Sequence, residues 1–138
     1  MYAFAFAFSA LQLLLLASSA LPMNFTKPIL TSRDDYYGNA TYYTTGRGAC
    51  GYTDDDSLPI VAISHLIYGD GGSCNQWIQI TNPANGQSQY GHIRDECMGC
   101  AQYDVDLSPS LFQNLGEDLS VGRFKVDWHY MPQGWSPQ

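Results

Sequence analysis

Residues 76–95 read QWIQITNPANGQSQYGHIRD. Trp77, Ile78 and Ile80 mark a strand. Pro83-Ala84-Asn85-Gly86 supplies a turn, with Asn-Gly suited to positive φ, and Gln87 to Asp95 returns as the second strand of a hairpin. Downstream, Asp104 to Leu107 predicts a short strand. Ser108 suits an N-cap with Pro109 in the first helical position, so SPSLFQNL predicts a two-turn helix stopped by Gly116. Arg123 to Met131 places Phe124, Val126, Trp128 and Tyr130 on one face of a last strand. Upstream, Pro59 to Leu66 is a short apolar strand. Asn39 to Thr45, rich in Thr and Tyr, is another, closed by Gly46-Arg47-Gly48. About six strands and one short helix predict an all-β fold, a small six-stranded barrel, in which closure removes exposed edges.

Composition agrees with a single small domain. The chain has 138 residues, a formal charge of −7 and 45% hydrophobic residues, enough for one core and too short for two ordinary ones. The acidic balance argues against nucleic acid, whose phosphates need clustered Lys and Arg. Thirteen Gly and seven Pro point to turns rather than long helices. Asp54-Asp55-Asp56 reads as a solvated loop. Gly69 to Ser73 reads as a flexible loop, with no Lys following to make a phosphate cradle.

Residues 1–20, MYAFAFAFSALQLLLLASSA, carry no charged side chain and end in small residues. They predict a secretory signal peptide cleaved after Ala20, although no Lys or Arg precedes the apolar run. The expected organisation is therefore a signal peptide (1–20), an arm or linker (21–37), one barrel (38–132) and a short tail (133–138). The expected product is extracellular, monomeric and free of the membrane after cleavage. Asn24 and Asn39 each open an N-x-Thr glycosylation sequon. Secretion makes two disulfides the default for Cys50, Cys74, Cys97 and Cys100. Four cysteines allow three pairings, and spacing does not choose among them. The C-x-x-C at Cys97 to Cys100 lacks a second ligand pair for zinc, and the histidines at 65, 92 and 129 are scattered, so no metal or other cofactor is expected.

Several segments carry a family resemblance. In order they are Thr41-Tyr42-Tyr43, Gly48-Ala49-Cys50-Gly51-Tyr52, Asp95-Glu96-Cys97, Asp106-Leu107-Ser108 and Gly122-Arg123-Phe124-Lys125-Val126-Asp127-Trp128. Together they resemble the double-psi β-barrel shared by expansins, barwin-like proteins and the rare lipoprotein A group, over roughly residues 38–132. NATYYTTGRGACGY, and DECMGC followed by DVDLSPSLF, look like small secreted fungal members. Expansins carry a second, carbohydrate-binding domain after the barrel; the chain ends at Gln138, so that domain is not expected here. The resemblance implies the pair Cys50–Cys74, which leaves Cys97–Cys100.

It also implies a groove. Thr41, Tyr43 and Asp106 match groove residues, and Asp106 stands where related endoglucanases have their general acid. Their base lies two residues after the matched Tyr, where this chain has Thr45, whose hydroxyl cannot act as a base near neutral pH. Hydrolysis by the inverting route needs that second carboxylate. Asp104 is an acidic neighbour that could restore part of the site, and Asp95 matches the aspartate of lytic relatives but lacks their following Arg. The resemblance thus implies a non-hydrolytic cell-wall module binding polysaccharide through Thr41, Tyr43, Asp104 and Asp106. The competing implication is a protein-binding module, such as a cysteine-protease inhibitor or effector, and a weak lytic enzyme using Asp95 or Asp106 stands third. Read from the residues alone, Asp95 would instead accept backbone N–H bonds and Asp106 would cap the turn before Ser108. Trp77 and Trp128 are expected in the core, Trp135 exposed, and His65 and His92 on the surface.

Overall fold

The computed structural model describes residues 33–138. The signal peptide, the arm up to Ser32 and the Asn24 sequon lie outside the described residues. Within them, six strands close into a barrel in the order β1-β5-β2-β4-β3-β6. The strands are β1 (Tyr36–Tyr42), β2 (Ile60–Ser64), β3 (Trp77–Thr81), β4 (Ser88–Cys97), β5 (Val105–Leu107) and β6 (Phe124–Tyr130). Helix α1 (His65–Tyr68) follows β2, helix α2 (Pro109–Asn114) follows β5, and a 3₁₀ turn occupies Leu119–Val121. The described residues thus hold two short α-helices where one was expected. The β1–β5 and β2–β4 pairs are parallel and the other four antiparallel.

Alternation builds the core. Ile78 and Ile80 from β3, Val105 and Leu107 from β5, and Val126 and Trp128 from β6 point inward and are buried. Leu111, Phe112 and Leu115, at helical spacing on and just beyond α2, join the same cluster. Trp128, 1% exposed, satisfies its indole by donating Nε1–H to the carbonyl of Tyr103 at 2.9 Å.

The structure moves several boundaries. β1 starts at Tyr36, three residues before the expected strand, because the Tyr36 ring packs on Trp128 and Tyr103, with centroids 4.6 and 5.0 Å away. Gly38 is required there: a Cβ would lie 2.0 Å from the Tyr103 carbonyl oxygen. α2 begins after Ser108, but the Ser108 hydroxyl does not cap it. It donates to the Leu58 carbonyl and accepts from the Ile60 amide, tying the entry of β2 to the end of β5.

Three side chains depart from expectation. Asp54 is not solvated: its carboxylate lies 3.7 Å from Nε of Arg94, with both side chains largely buried. Trp77 is half-buried on the outer face, stacked on His92 at 4.4 Å and 2°. Trp135 is also half-buried and packs on Tyr90 at 4.7 Å. Both tryptophans cover β3–β4 from outside, because Ile78 and Ile80 already take the inward positions.

Disulfides join Cys50 to Cys74 and Cys97 to Cys100. The first closes 24 residues and ties the loop after β1 to the loop before β3; by chain entropy it is worth about 3–4 kcal/mol.

Candidate functional site

The register creates a row of side chains across four adjacent strands. Thr41 on β1 pairs with Asp106 on β5, Asp106 pairs with Ala62 on β2, and Ala62 pairs with Asp95 on β4. All four line one open groove of about 510 Å3, together with Tyr43, Glu96, Asp104, Arg123 and the Cys97–Cys100 loop. Ala62 is the floor. Its methyl leaves a trough between two aspartates where a larger side chain would stand.

Asp95 reaches this row through a bulge. Val61 pairs with Ile93, but Ala62 pairs with Asp95, so Arg94 is the extra residue. Ile93 points into the core. Strict alternation would send Asp95 inward too; the bulge turns it out beside Ala62. The freed Arg94 carbonyl accepts from the Cys50 amide at 3.2 Å. Gly48 lets this loop approach, since a Cβ there would lie 2.3 Å from the same oxygen. Arg94's own side chain turns away to Asp54 and to the face of Tyr52, 4.0 Å from the ring centroid.

The carboxylates differ in their bonding. Oδ1 of Asp95 accepts from the Ala49 amide at 2.7 Å and the Glu96 amide at 2.8 Å. Oδ1 of Asp106 accepts from Thr41 Oγ1 at 2.8 Å. Burial, together with the nearby Asp95 charge, raises the Asp106 pKa above the ordinary carboxyl value, while the bonds from Thr41 and the Leu107 backbone pull it back only in part. Tyr43 reports the same field. Burial first, then Asp95, Asp106 and Asp54, push its phenol well above the usual range. Of the tyrosine pair, Tyr43 lines the groove, whereas Tyr42 packs edge-on against Phe112.

Asp104 lines the groove but is tied up by neighbours. Its Oδ1 accepts from the amide and the side-chain Nδ2 of Asn39, both at 2.8 Å, and its Oδ2 accepts from Arg123 at 2.8 Å. The Asn39 nitrogen that would carry a glycan is therefore engaged in the fold. Thr45 is absent from the groove lining. Its amide and hydroxyl both donate to Asp56, at 2.7 and 2.9 Å. The groove thus offers one half-buried carboxyl bonded to Thr41, Asp106, and one carboxyl held by two backbone amides, Asp95. Among the described residues no three His, Cys, Asp or Glu side chains gather as metal ligands.

Sequence reading missed Ala62, Glu96, Met98 and Arg123. Ala62 was legible in IVAIS, where it is the small residue between inward-facing Val61 and Ile63. Met98, 70% exposed at the rim, carried no signal beyond its place between two cysteines.

No family model matches the chain. It is 36% identical to Allergen Asp f 7 of Aspergillus fumigatus over 100 residues, 67% of the chain and 36% of that protein. It is also 36% identical to Putative ripening-related protein 4 of Oryza sativa subsp. japonica over 99 residues, 60% of the chain and 45% of that protein. The match therefore spans less than half of either relative's length. Among solved structures, the Streptomyces papain inhibitor superposes with a TM-score of 0.62 at 28% identity, over 71% of the chain and 94% of the inhibitor. An expansin of Clavibacter michiganensis, solved with cellohexaose, gives 0.64 at 24% identity, over 75% of the chain and 54% of the expansin. The chain resembles the barwin-like and expansin double-psi barrels. At 24% identity the expansin likeness carries the fold alone. Thr41, Ala62 and Asp106 face outward because each lies next to an inward-facing core residue, and the bulge at Arg94 brings Asp95 out beside them.

Proposed function

We infer that the chain is a secreted, monomeric cell-wall module, with its barrel in residues 38–132 after a signal peptide, and that its groove binds polysaccharide without hydrolysing it. The observation that carries this reading is the row Thr41–Asp106–Ala62–Asp95 in an open trough. Charged carboxylates, a threonine hydroxyl and the Tyr43 phenol are hydrogen-bonding groups suited to sugar hydroxyls. The cellohexaose complex of a barrel of the same fold supports a glycan ligand, and the two disulfides fit an oxidising, extracellular setting. Binding without hydrolysis is supported by Thr45, which stands where the resemblance expects a base and is bonded to Asp56 outside the groove.

A second reading, a protein-binding module, is favoured by one observation: the papain inhibitor matches over 94% of its own length. Co-sedimentation with insoluble cellulose, chitin and peptidoglycan, run beside a papain-inhibition assay, separates the two. Retention on a glycan that is lost in Asp106→Ala supports the first. Papain inhibition with no retention on any glycan overturns it.

A further inference from the structure

The groove is strongly negative. Its lining includes four carboxylates, from Asp95, Glu96, Asp104 and Asp106, against one guanidinium, Arg123. That guanidinium is already spent on Asp104. Three formal negative charges remain in a trough about 510 Å3 in volume. They are not scattered: Asp106 and Asp95 sit on strands two apart, with only Ala62 between them. Two strand spacings put their backbones about 9–10 Å apart, so a chain laid across the strands meets a carboxylate on either side of Ala62. The half-buried phenol of Tyr43, which lines the same trough, lies within the field of Asp95, Asp106 and Asp54.

A field of this sign discriminates among polymers of similar shape. Uronate polymers are repelled, neutral glucans gain only hydrogen bonds, and a polymer with protonated amines gains ion pairs as well. A basic peptide would gain the same ion pairs. Protein interfaces, however, are anchored by clusters of large apolar and aromatic side chains in pockets, and this trough has one aromatic side chain, the half-buried Tyr43, and one long apolar side chain, Met98, beside its four carboxylates. We propose that the groove selects an amine-bearing polysaccharide, a glucosamine polymer with free amino groups, over its N-acetylated, neutral and acidic counterparts. This selectivity rests on the polysaccharide-binding reading and specifies the class of glycan.

The test is calorimetric titration of the full chain with soluble glucosamine oligomers, their N-acetylated forms, cello-oligomers, galacturonate oligomers and lysine oligomers. The buffer is mildly acidic, so that the amines are protonated. The glucosamine oligomer is expected to bind about tenfold or more tighter than its acetylated form at low salt. That advantage should vanish in about 1 M salt, where the screening length falls to about 3 Å. Glu96→Gln and Asp106→Asn should each weaken the glucosamine oligomer several-fold. Asp34→Asn/Asp70→Asn, which removes two exposed carboxylates outside the groove, should not. Circular dichroism of each variant confirms that the barrel is folded. Equal affinity for acetylated and free-amine oligomers overturns the charge selection and leaves polysaccharide binding standing. An equal loss in the Asp34/Asp70 variant overturns the groove as its source. Binding of lysine oligomers with no binding of any sugar overturns both the selection and the polysaccharide reading beneath it.

Discussion

The Thr41 hydroxyl donates to Oδ1 of Asp106 over 2.8 Å, from one parallel strand to the next. It is one of the influences that stabilise the Asp106 carboxylate against burial and against Asp95. The balance still favours the protonated acid more than water does, so the pair has consequences for both stability and binding.

The sign of the stability effect follows from linkage. A carboxyl whose folded pKa is raised binds more protons in the native state than in the unfolded state. Stability therefore falls as pH rises from the ordinary value of 3.8 through the raised one. Asp106→Asn keeps an acceptor for Thr41 and removes the charge. Its melting temperature should match that of the parent at the acid end of this window and exceed it at neutral pH. Thermal melts of both proteins across the window check this; a variant less stable at neutral pH would falsify it.

Asp106→Ala should weaken binding of whichever glycan the groove retains. Hydrogen bonds involving a charged group contribute about 1.5–3 kcal/mol each, so the loss is about tenfold or more. A melting temperature lowered by many degrees with unchanged affinity would instead give Asp106 a purely structural role in the turn before Ser108.

Ala62 is 3% exposed, and its methyl forms the groove floor between Asp106 and Asp95. Ala62→Leu should fill the trough and abolish glycan retention. The barrel should survive at a cost of about 1–3 kcal/mol, the usual range for overpacking. Retention assays and denaturant melts on this one variant separate blocking from unfolding, and undiminished retention would place the ligand elsewhere.

The Asp104–Arg123 pair joins a shielded carboxylate to a guanidinium that is 58% exposed. Such a pair contributes about 0–1 kcal/mol, and Asp104 keeps its two bonds from Asn39. Arg123→Ala should therefore barely move the melting temperature while making the groove more negative. Affinity for the free-amine oligomer should rise, and a fall would show that Arg123 itself contacts the glycan.

Thiol titration of the denatured, unreduced protein should find no reactive thiol. Replacing Cys50 and Cys74 together by Ser should cost about 3–4 kcal/mol in a denaturant melt. Reducing-sugar release from soluble cellulose should be absent, because Thr45, where the resemblance expects a base, carries no carboxylate and bonds to Asp56 outside the groove. Release that Asp106→Asn abolishes would restore a hydrolytic reading.

Much of the barrel was written in local pattern. The alternation in WIQIT and FKVDWHY sends Ile78, Ile80, Val126 and Trp128 inward whatever the partners are, since side chains on a strand must alternate. Gly86, with φ at 75°, marks the hairpin turn from its sequence alone. Family motifs named Thr41, Tyr43, Asp95 and Asp106 from the sequence alone. Their meeting was decided elsewhere. Thr41 and Asp106 are 65 residues apart and meet only because β1 and β5 pair in parallel. Asp95 faces the groove only because Arg94 is bulged out, and whether a strand bulges depends on its neighbour's register and on what accepts the freed carbonyl's bond, here the Cys50 amide. The same long-range placement tied Asp104 to Arg123 and Asn39, carried Thr45 away to Asp56, and left Ala62 as the floor. Periodicity is a property of one strand and can be read from one segment. A groove is a property of four strands held in register, and only the closed barrel fixes that.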